Sequence, residues 1–309
     1  MQKKKLIYRT MKYISDSEIR ALGISPKECV KWVRQSFGMK YDAQLPPKKS
    51  VHPQGIDFFT TMPCLLPPQY DSYGVKIVSR ICGRKPSIKS DLLLYKASTG
   101  ELLSLMEADW ITQMRTGAVA ALAIEILQKT NASVYSFIGL GSTADATMAC
   151  LQAILPVDRP CIIRLKRYKD QAERFAKKWA KSNYTFVIVD TNEQLLENCD
   201  VLVSAVTEMP DLFCDDDTKY PEGMLLVPIH TRGFQNCDLF FDHVYADDKG
   251  HVEGFKYFSQ FKAFNELSEV LLGKEQGREN NKQRILAYNI GLGLHDVLFA
   301  TKIYERLSC

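Results

Sequence analysis

Residues 133–149 read SVYSFIGLGSTADATMA, and this stretch decides the fold. A mostly apolar strand candidate over 133–138 stops at Gly139-Leu140-Gly141-Ser142-Thr143-Ala144, after which the residues favour a helix. The pattern is G-x-G-x-x-A with a strand before it and a helix after it. In such a turn the first glycine permits the tight reversal, and the second lets a backbone approach a pyrophosphate. The small third residue allows close helix–strand packing. Amides of the first helical turn then face the phosphates. The segment therefore predicts a dinucleotide site at Gly139, Gly141, Ser142, Thr143 and Ala144. The alternative is a structural turn with no ligand.

Downstream, strands are expected at 161–165, 186–190, 201–206, 224–229 and 243–247. Helices are expected at 143–155, 170–182 and 192–199. This alternation predicts a parallel sheet with crossover helices. Beyond 257 the pattern reads as helical, ending in a helix near 291–307. Upstream the character differs. A strand over 6–14 precedes two helix starts, a capping box at Ser15 and Glu18 and a second start at Ser25-Pro26. A proline-rich basic loop spans 41–53. Strands follow at 56–62, 74–81 and 90–95, with a hairpin turn at Ser98-Thr99-Gly100 and a helix over 111–128. The fold class is therefore α/β, a Rossmann-type domain over 128–287 joined to an α+β domain over 1–127. The helix over 288–309 completes the latter.

Composition excludes several classes. The chain has 309 residues, enough for two domains. Its net charge of +4 comes from scattered basic residues, unlike the concentrated face of a nucleic-acid binder. No apolar run approaches the length of a membrane span, and no signal-peptide core follows the basic start, so a cytoplasmic location is expected. The nine cysteines form no C-x-x-C pair and read as free thiols. The five histidines show no ligand spacing, so no metal site is expected.

The end of the second nucleotide strand is where an acid would hold the ribose 2′-hydroxyl of NAD. Here the chain has Lys166-Arg167. Two cations suit a 2′-phosphate, which favours NADP with NAD still possible. The alternative is a pair of solvated surface charges.

Beyond the nucleotide segment, short markers recur in order. They are Met62-Pro63, Gly74-Val75-Lys76, Thr99-Gly100, Ile111-Thr112, Arg115-Thr116-Gly117-Ala118 and Thr207. Glu266-Leu267-Ser268-Glu269-Val270 with Gly273, Gly277-Arg278, and Gly291 with Asp296 follow. In this order the chain resembles the ornithine cyclodeaminase/mu-crystallin family over nearly its whole length. The resemblance implies a homodimer formed through the N-terminal sheet and an amino acid or imino acid as substrate. It makes Lys76 the catalytic lysine, although a lysine in the strand YGVKIVS would by pattern alone point to solvent. It makes Arg115 a carboxylate-binding residue, places a second cation at Lys48, and puts Thr207 at the cofactor. Ornithine cyclodeaminases carry an aspartate in the loop after the strand matching 224–229. Here that loop reads Ile229-His230-Thr231-Arg232-Gly233, with Arg232 or a neighbour in the aspartate's place. A cation there would repel a substrate ammonium and favour a second carboxylate, provided that Arg232 faces inward rather than solvent. The expected activity is hydride transfer at the α-carbon of an amino acid or its imine. The alternatives are ornithine cyclodeamination and non-enzymatic binding of NADPH or a small ligand, as in mu-crystallin-like members.

Overall fold

The computed structural model describes residues 11–156, 158–207 and 209–308. In chain order the elements are β1 (Lys12–Ile14), α1 (Asp16–Ala21), α2 (Pro26–Gly38), β2 (Lys49–Val51), β3 (Phe58–Leu65), β4 (Ser72–Arg80), β5 (Ile88–Lys96), β6 (Glu101–Glu107) and α3 (Asp109–Leu127). There follow β7 (Val134–Ile138), α4 (Ser142–Ile154), β8 (Cys161–Lys166), α5 (Gln171–Trp179), β9 (Tyr184–Val189), α6 (Asn192–Leu196), β10 (Val201–Ser204), β11 (Leu225–Pro228), α7 (Cys237–Phe240) and β12 (His243–Ala246). The last are β13 (Phe264–Glu266), α8 (Leu267–Leu271), β14 (Ile285–Tyr288) and α9 (Gly293–Ser308).

The chain forms two compact units, one of residues 1–23, 41–112 and 296–309, the other of residues 24–40 and 113–295. The sequence reading instead divides the chain at 127/128 and again at 287/288. The difference has a packing reason. α2 lies against α4 and α8. Gly117 of α3 is so close to α4 that an added Cβ would stand 2.4 Å from the Ala146 carbonyl carbon. Both helices therefore belong with the nucleotide sheet although they precede it.

The first unit is built on a six-stranded sheet in the order β1-β6-β5-β4-β3-β2. Strands β2 to β6 are antiparallel neighbours, and β1 adds in parallel beside β6. The expected strand over 6–14 is seen as Lys12–Ile14, its residues 6–10 lying outside the described residues. The Ser15–Glu18 capping box forms as expected. β5 and β6 make the expected hairpin, in which Gly100 adopts φ +72. β2 falls within the expected loop over 41–53. It is three exposed residues at the sheet edge, too short for a periodic signal. One face of the sheet is fully buried through Cys64, Lys76, Leu92, Leu94, Ser104 and Met106.

The second unit holds an eight-stranded parallel sheet, β13-β12-β14-β11-β10-β7-β8-β9. β7, β10, β11, β12 and β14 are buried along all or nearly all their length, as expected where helices cover both faces. The strand order reverses beside β7, with β8 on one side and β10 on the other. The expectation of helix beyond 257 is corrected here. β13 and β14 are strands, and β14 sits between β11 and β12. Its four residues, ILAY, are a run that periodicity cannot assign. No helix among the described residues is long and apolar enough to cross a membrane.

Candidate functional site

The glycine turn behaves as its spacing requires. Gly139 has φ +80, and a Cβ there would stand 2.5 Å from the Ala205 carbonyl carbon and the Val206 amide. Only glycine fits between the ends of β7 and β10. Gly141 is the N-cap of α4, with no atom within 4 Å of an added Cβ, so the space in front of the helix is open. Ala144 is fully buried against the sheet. Ser142 is exposed and Thr143 partly so, both in the first helical turn. This open N-terminus of a 13-residue helix, at the C-terminal edge of a parallel sheet where the strand order reverses, fits a dinucleotide pyrophosphate. A cleft of about 420 Å³ adjoins the turn, bounded by Gly141, Ser142 and Asp145 and by Gln171, Arg174 and Lys178 of α5. Thr207 is exposed three residues after β10.

Lys166 and Arg167 follow β8 as read, but each is engaged. Lys166 Nζ donates to the Asp190 carbonyl at 2.6 Å. Arg167 pairs with Asp190 at 2.7 Å and with Glu173 at 2.6 Å, all three side chains being exposed. Such exposed pairs hold a cation in place without binding it strongly.

Lys76 points inward, against the pattern for a half-buried strand. It sits in β4, in register with Met62 and Leu92. Its side chain is fully buried, and Nζ donates to Asp296 Oδ1 at 2.8 Å. Asp296 lies in the first turn of α9 and is also fully buried. Gly74 makes the approach of α9 possible, since a Cβ there would stand 2.8 Å from a Val297 methyl group. Burial, together with the Asp296 charge, pushes the Cys64 thiol up to about 12, so it stays protonated. The sequence markers included Asp296 without a role. The available signal was a carboxylate beside His295 in the mostly apolar run Leu292–Ala300. Lys48, half-buried, precedes β2.

Arg115 lies in the second turn of α3, which begins at Asp109, two residues before the expected start. It is 7% exposed, and its guanidinium lies against the Gly291 backbone. After β11 the structure distinguishes two residues that the sequence left together. Arg232 is exposed, whereas His230 is half-buried with Nε2 2.6 Å from Ser204 Oγ at the end of β10. The Arg232 amide faces His230 Nδ1 at 3.4 Å, a contact that favours the tautomer with hydrogen on Nε2. Burial pushes the imidazole down to about 4, so it is neutral at physiological pH. The sequence marks His230 as a non-ligand for metal and as a neighbour of Arg232 in the loop. Its role becomes visible once β10 and β11 are known to be neighbours. Among the described residues, no group of three or more His, Cys, Asp or Glu side chains is placed to hold a metal.

Known proteins resemble this chain over most of its length. The Delta(1)-pyrroline-2-carboxylate reductase of Bacillus cereus is 26% identical over 258 residues, covering 76% of this chain and 78% of the relative. The solved structure of Thermococcus litoralis Delta(1)-pyrroline-2-carboxylate reductase in complex with NADH and L-proline superposes with a TM-score of 0.83 at 24% identity, covering 96% of this chain and 98% of that one. An archaeal alanine dehydrogenase dimer with bound NAD gives a TM-score of 0.82 at 22% identity, with 96% of each chain covered. The family model for ornithine cyclodeaminase/mu-crystallin matches residues 13–226, more than half of the chain, and the chain belongs to the ornithine cyclodeaminase/mu-crystallin family.

Proposed function

We propose that this protein is a nicotinamide-dependent oxidoreductase that moves hydride to or from the α-carbon of an amino acid or its imine. The observation that carries the reading is the pair Lys76–Asp296, 2.8 Å apart with both side chains fully buried. Burying two charges costs several kcal/mol per ion before their attraction offsets it. A protein that only stores a ligand gains nothing from that cost, whereas an enzyme gains a positioned proton donor.

The nicotinamide, when bound, supplies or accepts the hydride at carbon. The chain's residues do the rest. In the reductive direction Lys76 gives the proton that balances hydride addition to the C=N bond, and Asp296 keeps the ammonium charged until then. Arg115 offers a planar fork for the substrate carboxylate, which fixes the α-carbon by two parallel hydrogen bonds. Lys48 is a second contact to that carboxylate. Gly139, Gly141, Ser142, Thr143, Ala144 and Thr207 form the dinucleotide cradle, with Lys166 and Arg167 at its ribose end selecting NADP. Relatives named for Delta(1)-pyrroline-2-carboxylate reduction, one of them solved with L-proline, support this substrate class.

True cyclodeamination of ornithine asks for an acid beside the second amine. The loop 229–236 offers His230 and Arg232 and no carboxylate. A neutral imidazole suits an uncharged ring better than an ammonium, whereas Arg232 is exposed and does not meet the condition for selecting a second carboxylate.

The test is turnover by the purified protein. The panel is Delta(1)-pyrroline-2-carboxylate, pyruvate with ammonia, and oxaloacetate with ammonia, each with NADPH and NADH. Consumption of reduced cofactor with any of them supports the reading. Tight cofactor binding without turnover of any substrate leaves a binding protein. Conversion of ornithine to proline at constant cofactor would make it a cyclodeaminase.

A further inference from the structure

Gly291 lies between β14 and α9 with φ +96, a backbone conformation that strains any side chain. Space forbids a side chain there as well. A Cβ at Gly291 would stand 2.5 Å from Arg115 Nη1, 3.1 Å from Nη2 and 3.2 Å from Cζ. The guanidinium is therefore laid directly on the glycine backbone. That backbone is itself held. The fully buried Asp247, just beyond β12, accepts the Ile290 amide on Oδ2 at 2.9 Å and the Gly291 amide on the same oxygen. Its other oxygen, Oδ1, lies 3.1 Å from His251 Nδ1. The Asp247 amide donates to the Tyr288 carbonyl at 3.2 Å, which ties the acid to the end of β14.

We propose that Gly291, pinned by Asp247, is a positioning residue that sets the place of the Arg115 guanidinium and with it the preference for a substrate carboxylate. The inference rests on Arg115 being the carboxylate clamp. Its logic is mechanical. An added methyl group meets the tip of a long side chain rather than backbone, so the guanidinium moves and the fold stays. A paired hydrogen bond tolerates little displacement, and a shift of about 1 Å at a substrate-positioning group is worth up to roughly 100-fold.

The experiment is a double-mutant cycle on Arg115→Ala and Gly291→Ala, read as KM for an imine carboxylate, as kcat and as cofactor affinity. Gly273→Ala serves as the strain control. Gly273 has φ +69 but nothing within 4 Å of an added Cβ, so it tests backbone strain without a collision. Gly291→Ala should raise KM roughly 10- to 100-fold with kcat and cofactor affinity little changed. In the Arg115→Ala background the same substitution should add almost nothing, because its target is gone. Gly273→Ala should leave KM alone. If Arg115→Ala raises KM and Gly291→Ala does not, the positioning role is refuted and the clamp survives. If Arg115→Ala itself leaves KM unchanged, the clamp reading falls and takes this inference with it. Should Gly291→Ala not fold, Asp247→Asn replaces it, since it keeps the shape of the anchor while weakening its hold on two amides. An unchanged KM in that variant would equally overturn the proposal.

Discussion

Lys76 Nζ stands 2.8 Å from Asp296 Oδ1, and neither side chain has exposed surface. The pair joins the middle of a β-strand to the first turn of the C-terminal helix, 220 residues away in the chain. Each charge offsets part of the other's cost of burial. Lys76→Met should therefore destabilise the protein by about 3–5 kcal/mol, the cost of leaving one buried charge alone. Adding Asp296→Asn removes that charge and should restore most of the thermal stability. Turnover should not return in the double variant, staying about 100- to 10,000-fold below the parent, because a proton donor is still missing. Thermal unfolding and kcat on the same preparations separate the two effects. Recovery of turnover together with stability would mean that Lys76 serves the fold alone.

Arg167 is held by Asp190 and Glu173 at the surface, where salt and solvent weaken both pairs. A 2′-phosphate can displace exposed carboxylates by offering more charge and more acceptor oxygens. NADPH should bind several-fold more tightly than NADH, and Arg167→Ala should remove most of the difference while leaving NADH affinity nearly unchanged. Titration of cofactor fluorescence measures both. Equal affinities in the parent, or NADH the tighter, would contradict the preference.

The face of the N-terminal sheet opposite Lys76 carries an apolar row. Pro63, Val75, Leu93, Leu105 and Tyr13 are successive partners across five strands. Each is at least partly exposed, Tyr13 at 53%. Contiguous apolar rows of this kind mark association surfaces. A two-fold homodimer through this face is expected, each copy presenting the same patch. Light scattering should give twice the mass of one chain, 35.1 kDa, at micromolar concentration, and Val75→Glu should return the single-chain mass. A parent of single-chain mass would exclude the assembly.

The parallel sheet was legible because its strands announce themselves twice, by apolar runs and by the glycine turn after the first of them. Gly139, Gly141 and Ala144 needed only local rules, and the structure gives Gly139 a positive φ, makes Gly141 the N-cap of α4 and buries Ala144. Lys76 was not legible from its own strand, where alternation argued for solvent. Its buried ammonium pairs with Asp296, a contact that no local pattern encodes. His230 and Ser204 were missed for the same reason. They meet because β10 and β11 are neighbours, which is topology rather than motif. The strand ILAY was too short to identify, yet it lies inside the sheet between β11 and β12 and leads to Gly291, which lies against Arg115.

Asp238 and His230 give the stability curve opposite slopes. Asp238 is almost fully buried and accepts the Tyr288 hydroxyl at 2.8 Å, and burial pushes its carboxyl up to about 7. In the unfolded chain it titrates near 3.9. Between those values the folded state binds the extra proton, so this contribution is complete below about pH 4 and is lost as pH rises through 7. His230 is pushed down to about 4, below its unfolded value of about 6.5, so it destabilises the fold as pH falls from 6.5 towards 4. Asp238→Asn keeps an oxygen for the Tyr288 hydroxyl and cannot ionise. Relative to the parent it should gain about 1–3 kcal/mol between pH 5 and pH 8, the direction set by the raised carboxyl and the size by its shift after solvent relaxation. The acid-side loss from His230 should remain in the variant. Thermal unfolding of both proteins at pH 5, 6.5 and 8 reads the difference directly. A variant whose advantage does not grow with pH would show that Asp238 is already ionised in the folded protein well below pH 7.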